Sequence, residues 1–104
     1  MKWATKEWRD AIATLRVLCG TKYPVSVRRV PMPVGDYGDA TRRNRRYHVR
    51  ITKSADIHHA LLVLTHEWAH CMTWDSCTER DPHHNPEFGI AWAKAYRAVF
   101  YNNQ

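Results

Sequence analysis

No apolar run in these 104 residues approaches the length a bilayer requires, which is ~20 residues for a helix. A helical membrane span is therefore excluded. Cysteine is scarce: Cys19, Cys71 and Cys77 are an odd number with no paired spacing. A disulfide scaffold is disfavoured, and a reducing, cytoplasmic setting is the expectation. Residues Met1–Glu7 hold no apolar stretch of signal-peptide type, so export by that route is not expected. Phenylalanine occurs only twice, but five Trp and five Tyr bring the hydrophobic fraction to 44%. That is enough for one small core and argues against disorder. The length fits a single domain over residues 1–104.

Acidic residues are outnumbered, ten against sixteen Lys and Arg. The imbalance is local. Residues 22–53 hold nine Lys/Arg and two Asp/Glu, a net +7, whereas the rest of the chain holds seven and eight, a net −1. One segment thus carries the basic excess, which points to an anionic partner on one side of the fold.

Periodicity predicts a helix over 4–19, with Trp8, Ile12, Leu15 and Cys19 on one face, Ala11 and Leu18 beside them, and Gly20 as a stop. Tyr23–Val27 alternates like a strand that extends towards Val30, and Pro31 and Pro33 end it. Gly35–Asp39 is turn-rich. Tyr47–Ile51 alternates again, and an antiparallel pairing of these two strands is expected. Ser54-Ala55-Asp56 offers capping oxygens to a helix running from Ile57 to about Trp74. After a loop over 75–84, Asn85-Pro86-Glu87 provides a cap, a proline at the first helical position and an acid in the first turn. Phe88, Trp92, Ala95 and Val99 then mark a last helix to about Phe100.

The most informative words are His66-Glu67-Trp68-Ala69-His70, an H-E-x-x-H on a predicted helix. Residues four apart share a helix face, so both imidazoles can reach one metal ion. Glu67 sits about 100° round the helix, where it can touch a water without itself being a ligand. With His66 set at 0°, His70 falls near 40° and His59 near 20° at about 100° per residue. Ile57, Leu61, Leu64, Trp68 and Cys71 fall on the opposite side, giving a core stripe behind a histidine face.

A catalytic zinc needs a third protein ligand and an open position. Asp75, Glu79, Asp81, His83, His84 and Glu87 lie downstream, and His84 directly precedes the expected helix cap. Iron, manganese or nickel suit imidazole donors as well.

His66-Glu67-Trp68-Ala69-His70, an intervening loop, and His84-Asn85-Pro86-Glu87-Phe88 together resemble the SprT/Spartan family of zinc metalloproteases. The preceding Glu79-Arg80-Asp81 resembles that family's polar loop, and the similarity covers roughly 55–100. The resemblance implies one zinc per chain on His66, His70 and His84, Glu67 as catalytic acid/base, protein substrates and DNA as an activating partner. Two positions depart from the pattern. Asn85 stands where the family usually has Gly, and His83 beside His84 is an alternative ligand. No cysteine pair could build the zinc ribbon that some members carry.

In the mechanism these residues suggest, zinc polarises a water, and Glu67 takes its proton and passes it to the leaving amine. Tyr96, His59 or an arginine are candidate donors to the oxyanion. The strand around Tyr47–Ile51 is a candidate for edge pairing with substrate. The basic run 41–46, with Arg28, Arg29, Arg42, Arg43, Arg45 and Arg46 as candidate contacts, suggests a phosphate-binding face, backed by Arg50 and Lys53. Tyr37 and Tyr47 are placed to stack on bases. His48 reads as an ordinary strand residue, and Cys71 as a small buried side chain. The tryptophans read mostly as core, with Trp74 a candidate for the rim of the cleft.

The expected architecture is α+β, with a zincin-like core: an N-terminal helix, a small antiparallel sheet, the H-E-x-x-H helix and a C-terminal helix. The expected function is zinc-dependent peptide hydrolysis, associated with DNA through the basic segment. A metal-dependent nuclease or hydrolase, and a non-catalytic zinc-stabilised nucleic-acid-binding module, are the alternatives.

Overall fold

The computed structural model describes residues 5–75 and 85–101. Three helices and a three-stranded sheet follow in the order α1 (Thr5–Leu18), β1 (Val25–Val30), β2 (Gly38–Arg43), β3 (Arg46–Thr52), α2 (Ile57–Met72) and α3 (Pro86–Tyr101). The domain is α+β with the expected layout. No described helix is long and apolar enough to cross a membrane.

The helices start where local chemistry places them. The Asp56 carboxylate accepts a hydrogen bond from the His59 backbone N–H at 2.9 Å and caps α2. Asn85 caps α3: its Oδ1 accepts from the Phe88 N–H at 2.9 Å, and Pro86 follows at the first helical position. On α1, Ala11 and Leu15 turn inward together with Cys19 just beyond the helix, while Leu18 is exposed.

The sheet departs from expectation. Its order is β1-β3-β2, and β1 runs parallel to β3, with Val25 opposite Tyr47 and Val27 opposite Val49. The antiparallel partner of β3 is β2, a strand the polar, arginine-rich run 38–43 concealed. Such a run forms a strand because it is an edge with half its residues exposed and none fully buried, so apolar alternation is not required of it. Asn44 makes the hairpin possible. It sits at φ 55°, the left-handed region that Asn tolerates, between the paired Arg43 and Arg46. This return hairpin takes β3 into the centre and leaves β1 and β2 as edges. The expected edge pairing of substrate with Tyr47–Ile51 is therefore corrected, because both sides of β3 are occupied.

All three helices lie against one face of the sheet or against each other. Helix α2 packs on β2 and β3, and α1 and α3 pack on α2 and on one another. Tyr47, Val49 and Ile51 of β3 meet Leu15, Leu64, Trp68 and Cys71 in one core. Trp68 is fully buried and its Nε1–H donates to the Cys19 carbonyl at 2.8 Å, tying α2 to the end of α1. Truncating such a side chain to Ala typically costs ~3–5 kcal/mol. Arg29 forms a second tie. Its Nε donates to the Thr52 carbonyl and its Nη2 to the Ala55 carbonyl, each at 3.0 Å, and its guanidinium stacks 5.3 Å from the Trp8 ring centre. Burial lowers its pKa.

Candidate active site

Helix α2 sorts its side chains as its periodicity requires. Leu61, Leu64, Trp68 and Cys71 are buried against the core, while His59, His66 and His70 are half-buried on another face. The imidazoles of His66 and His70 lie with centroids 4.9 Å apart at an interplanar angle of 77°. They are adjacent nitrogen donors on one turn, as the i, i+4 spacing demands.

The other wall comes from α3. Phe88 lies 5.1 Å from His66 and 4.4 Å from His70, and Trp92 meets His66 edge-on at 4.7 Å. The Trp92 indole N–H donates to Thr65 Oγ1 at 3.1 Å, and the Thr65 hydroxyl donates in turn to the Leu62 carbonyl. In the sequence Phe88, Trp92, Ala95 and Val99 mark the apolar periodicity of this helix. The buried face of α3 is Phe88, Ala91, Ala95 and Ala98, while Trp92 stands one step off it, 37% exposed. The i, i+4 spacing of two aromatics directly after the cap was the available signal. Trp74, a candidate for the rim, packs on Tyr47.

Between α2, Trp92 and the segment 35–38 lies a cleft of about 480 Å³, bordered by Tyr37, His59, Leu62, Val63, His66 and Glu67. Glu67 is only 8% exposed. Burial pushes its carboxyl up to about 7, and the nearby negative charge of Asp39 adds to the rise. A carboxyl poised near neutrality can both accept and return a proton at working pH. Gly38 makes its burial possible. A Cβ there would come within 2.6 Å of Val63 Cγ1 and 2.9 Å of the Arg50 carbonyl oxygen, so β2 approaches α2 directly over Glu67.

Several expectations are redistributed. His59 lines the cleft and stacks on Tyr37 at 4.8 Å. Tyr96 packs on Phe100 and Tyr101 and is not among the cleft residues, so it is not placed as an oxyanion donor. Tyr47 is 1% exposed and cannot stack on bases, whereas Tyr37 is 51% exposed. Arg28, Arg42, Arg43, Arg45 and Arg46 are exposed, but Arg29 is the internal clamp described above. Asp75 pairs with Lys22 at 3.4 Å, and Glu87 is exposed in the first turn of α3. Cys71 is buried, and desolvation followed by the charge of Glu67 raises its thiol to about 12. It is the small core residue expected. His84, its alternative His83, and Glu79, Asp81 and Cys77 lie outside the described residues.

The donor set fits a catalytic metal as far as it is described. His66 and His70 offer two adjacent imidazoles, and Glu67 follows His66 on the same helix with its carboxyl buried. Among the described residues no group of three or more His, Cys, Asp and Glu side chains could hold an ion. A third ligand would have to come from elsewhere. No protein-family model, curated protein or solved structure matches the chain.

Proposed function

We propose that this chain is a metal-dependent peptidase of zincin type, with His66 and His70 as metal ligands and Glu67 as general base. The observation that carries the reading is the burial of Glu67 between the histidine face of α2 and the edge of the sheet. A structural zinc site needs no such base and takes four protein ligands. A buried carboxyl held near neutrality is costly unless it is used. His84, by the resemblance to the SprT/Spartan family, is the proposed third ligand.

The cleft walls support a peptide rather than a phosphodiester as substrate. Among the described residues they include Asp36 and Glu67 and no Lys or Arg, so a phosphate would meet negative charge there. Zinc, when bound, supplies Lewis-acid polarisation and activation of water. Glu67 then takes the proton of the attacking water and returns it to the leaving amine. Tyr37 and His59 stand in the cleft wall as donors for the carbonyl oxygen. The aromatic wall of Phe88 and Trp92 holds the two imidazoles and keeps water from their outer side. Strand β2 borders the cleft through Gly38 as a free edge of the sheet, where an extended peptide can pair.

The test is zinc content and casein cleavage of the purified protein, beside Glu67→Gln and His66→Ala. About one zinc per chain is expected. Chelation should abolish cleavage, and Glu67→Gln should abolish it while keeping zinc. Full proteolysis by zinc-loaded Glu67→Gln would falsify the assignment of the base.

A further inference from the structure

Where α1 ends and β1 begins, the chain turns round a recess of about 540 Å³. Its lining includes the buried Cys19, Val25 and Trp68, with Tyr23 half-buried beside them. Three cations from three places in the fold border it: Arg16 in the last turn of α1, Lys22 in the connection and Arg46 at the start of β3. Among the described residues no Asp or Glu lines it. The recess shares no residue with the cleft at Glu67.

The two arginines are held by neutral partners. Arg16 Nη2 donates to the Val25 carbonyl at 3.1 Å, and Arg46 Nη1 donates to Ser26 Oγ at 2.9 Å. Both are thus fastened to the first two residues of β1. Neither makes an ion pair among the described residues. A guanidinium has five N–H donors, so most of each fork stays open. Lys22 meets Asp75 at 3.4 Å, with both side chains more than half exposed, and such a pair is worth little in water. The Cys19 carbonyl would repel an anion, but it accepts from the Trp68 indole N–H. Three cations against one paired carboxylate leave the recess at a net +2.

We propose that this recess is a binding site for a small, free organic phosphomonoester. Charge is the first reason. A phosphomonoester carries about −1.5 to −2 near neutral pH and three acceptor oxygens, which matches the net +2. Shape is the second. Donors arriving from three parts of the fold suit a tetrahedral group that accepts from several sides, whereas a carboxylate offers two oxygens in one plane. Size is the third. Small ligands occupy recesses of ~300–1,000 Å³, and Tyr23, Pro24 and Val25 give the organic part an apolar wall. The proposal does not rest on the peptidase reading and is tested by binding alone.

The experiment is isothermal titration calorimetry of the full chain with phenyl phosphate near pH 7.5, where the phosphate is a dianion. Inorganic phosphate and benzoate are the comparison probes. Phenyl phosphate should bind at least ~10-fold more tightly than inorganic phosphate, because each buried methylene-sized group adds about fourfold. It should exceed benzoate by at least ~10-fold, because benzoate lacks the third oxygen and the second charge. Arg16→Gln and Arg46→Gln should each weaken it ~10-fold or more, as loss of a charge-assisted hydrogen bond does. Gly20→Asp tests the site without removing a cation. Gly20 belongs to the lining, and a Cβ there meets nothing within 4 Å. The new carboxylate therefore enters the recess without a clash and should abolish binding. The control Arg28→Gln/Arg43→Gln removes two exposed cations outside the recess and should change affinity less than ~2-fold. The proposal is overturned by undetectable binding of phenyl phosphate, by inorganic phosphate or benzoate binding as tightly, by unchanged binding to folded Gly20→Asp, or by an equal loss in the control.

Discussion

Gly38 of β2 lies against Glu67 of α2 so closely that a Cβ on the glycine would stand 3.4 Å from the glutamate Cγ. The edge of the sheet thus forms the lid over the only buried carboxyl among the described residues. Local backbone geometry does not require the glycine; the distance between two elements does.

Gly38→Ala should therefore disturb both stability and the site. The methyl group would meet Val63 Cγ1 and the Arg50 carbonyl oxygen at under 3 Å, and a backbone oxygen in a central strand yields little. Overpacking of this kind costs ~1–3 kcal/mol. A lower urea midpoint is expected, together with a loss of the proposed peptidase activity larger than the unfolded fraction explains. An alanine variant with unchanged stability and activity would show that the close approach is not maintained in solution.

Glu67 should make the metal-free protein depend on pH in an unusual direction. Its carboxyl rises from 4.5 to about 7 in the fold, with burial the largest cause. The folded state then holds the proton more tightly than the unfolded chain, so stability falls as pH rises from about 4.5 to 7 and stays lowered above that. Glu67→Gln removes the penalty. In chelator, its melting temperature should match the parent near pH 4.5 and exceed it above pH 7.5 by about 5–10 °C, from at most ~2–3 kcal/mol. The same offset at both pH values would mean that the carboxyl is not desolvated. The variant that would end the proposed catalysis is thus expected to be the more stable protein.

Trp68 should reveal how α1 is anchored. Trp68→Phe keeps an aromatic ring in the core but removes the donor to the Cys19 carbonyl and leaves a gap beside it. A loss of ~2–4 kcal/mol is expected, combining an orphaned acceptor with a small cavity. Guanidinium denaturation measures it directly. A change below ~0.5 kcal/mol would assign the helix anchoring to Arg29 and the apolar contacts instead.

Much of the helical framework was legible from the residues alone. The boundaries of α1, α2 and α3 follow from 3.6-residue periodicity and from caps at Asp56 and Asn85. Those signals are local, because a cap and its helix lie within four residues of each other. The histidine face of α2 was legible for the same reason. The sheet was not. Which strand pairs with which, and in which direction, depends on contacts such as Val25 with Tyr47 that no local pattern encodes. An edge strand as polar as β2 has no apolar alternation by which to announce itself.

The same division runs through the site. The residues themselves determined that His66 and His70 share a turn with Glu67 beside them, since helix geometry alone sets that spacing. Only the tertiary structure decided that Phe88 and Trp92 wall the imidazoles, that Gly38 closes over Glu67, and that Arg29 is a clamp while Arg28 is exposed. Neighbouring strand residues face opposite sides of a sheet, so a one-position difference in a basic run separates an internal tie from a solvent-facing charge. Burial likewise raises the Glu67 carboxyl, and burial exists only once distant elements have packed.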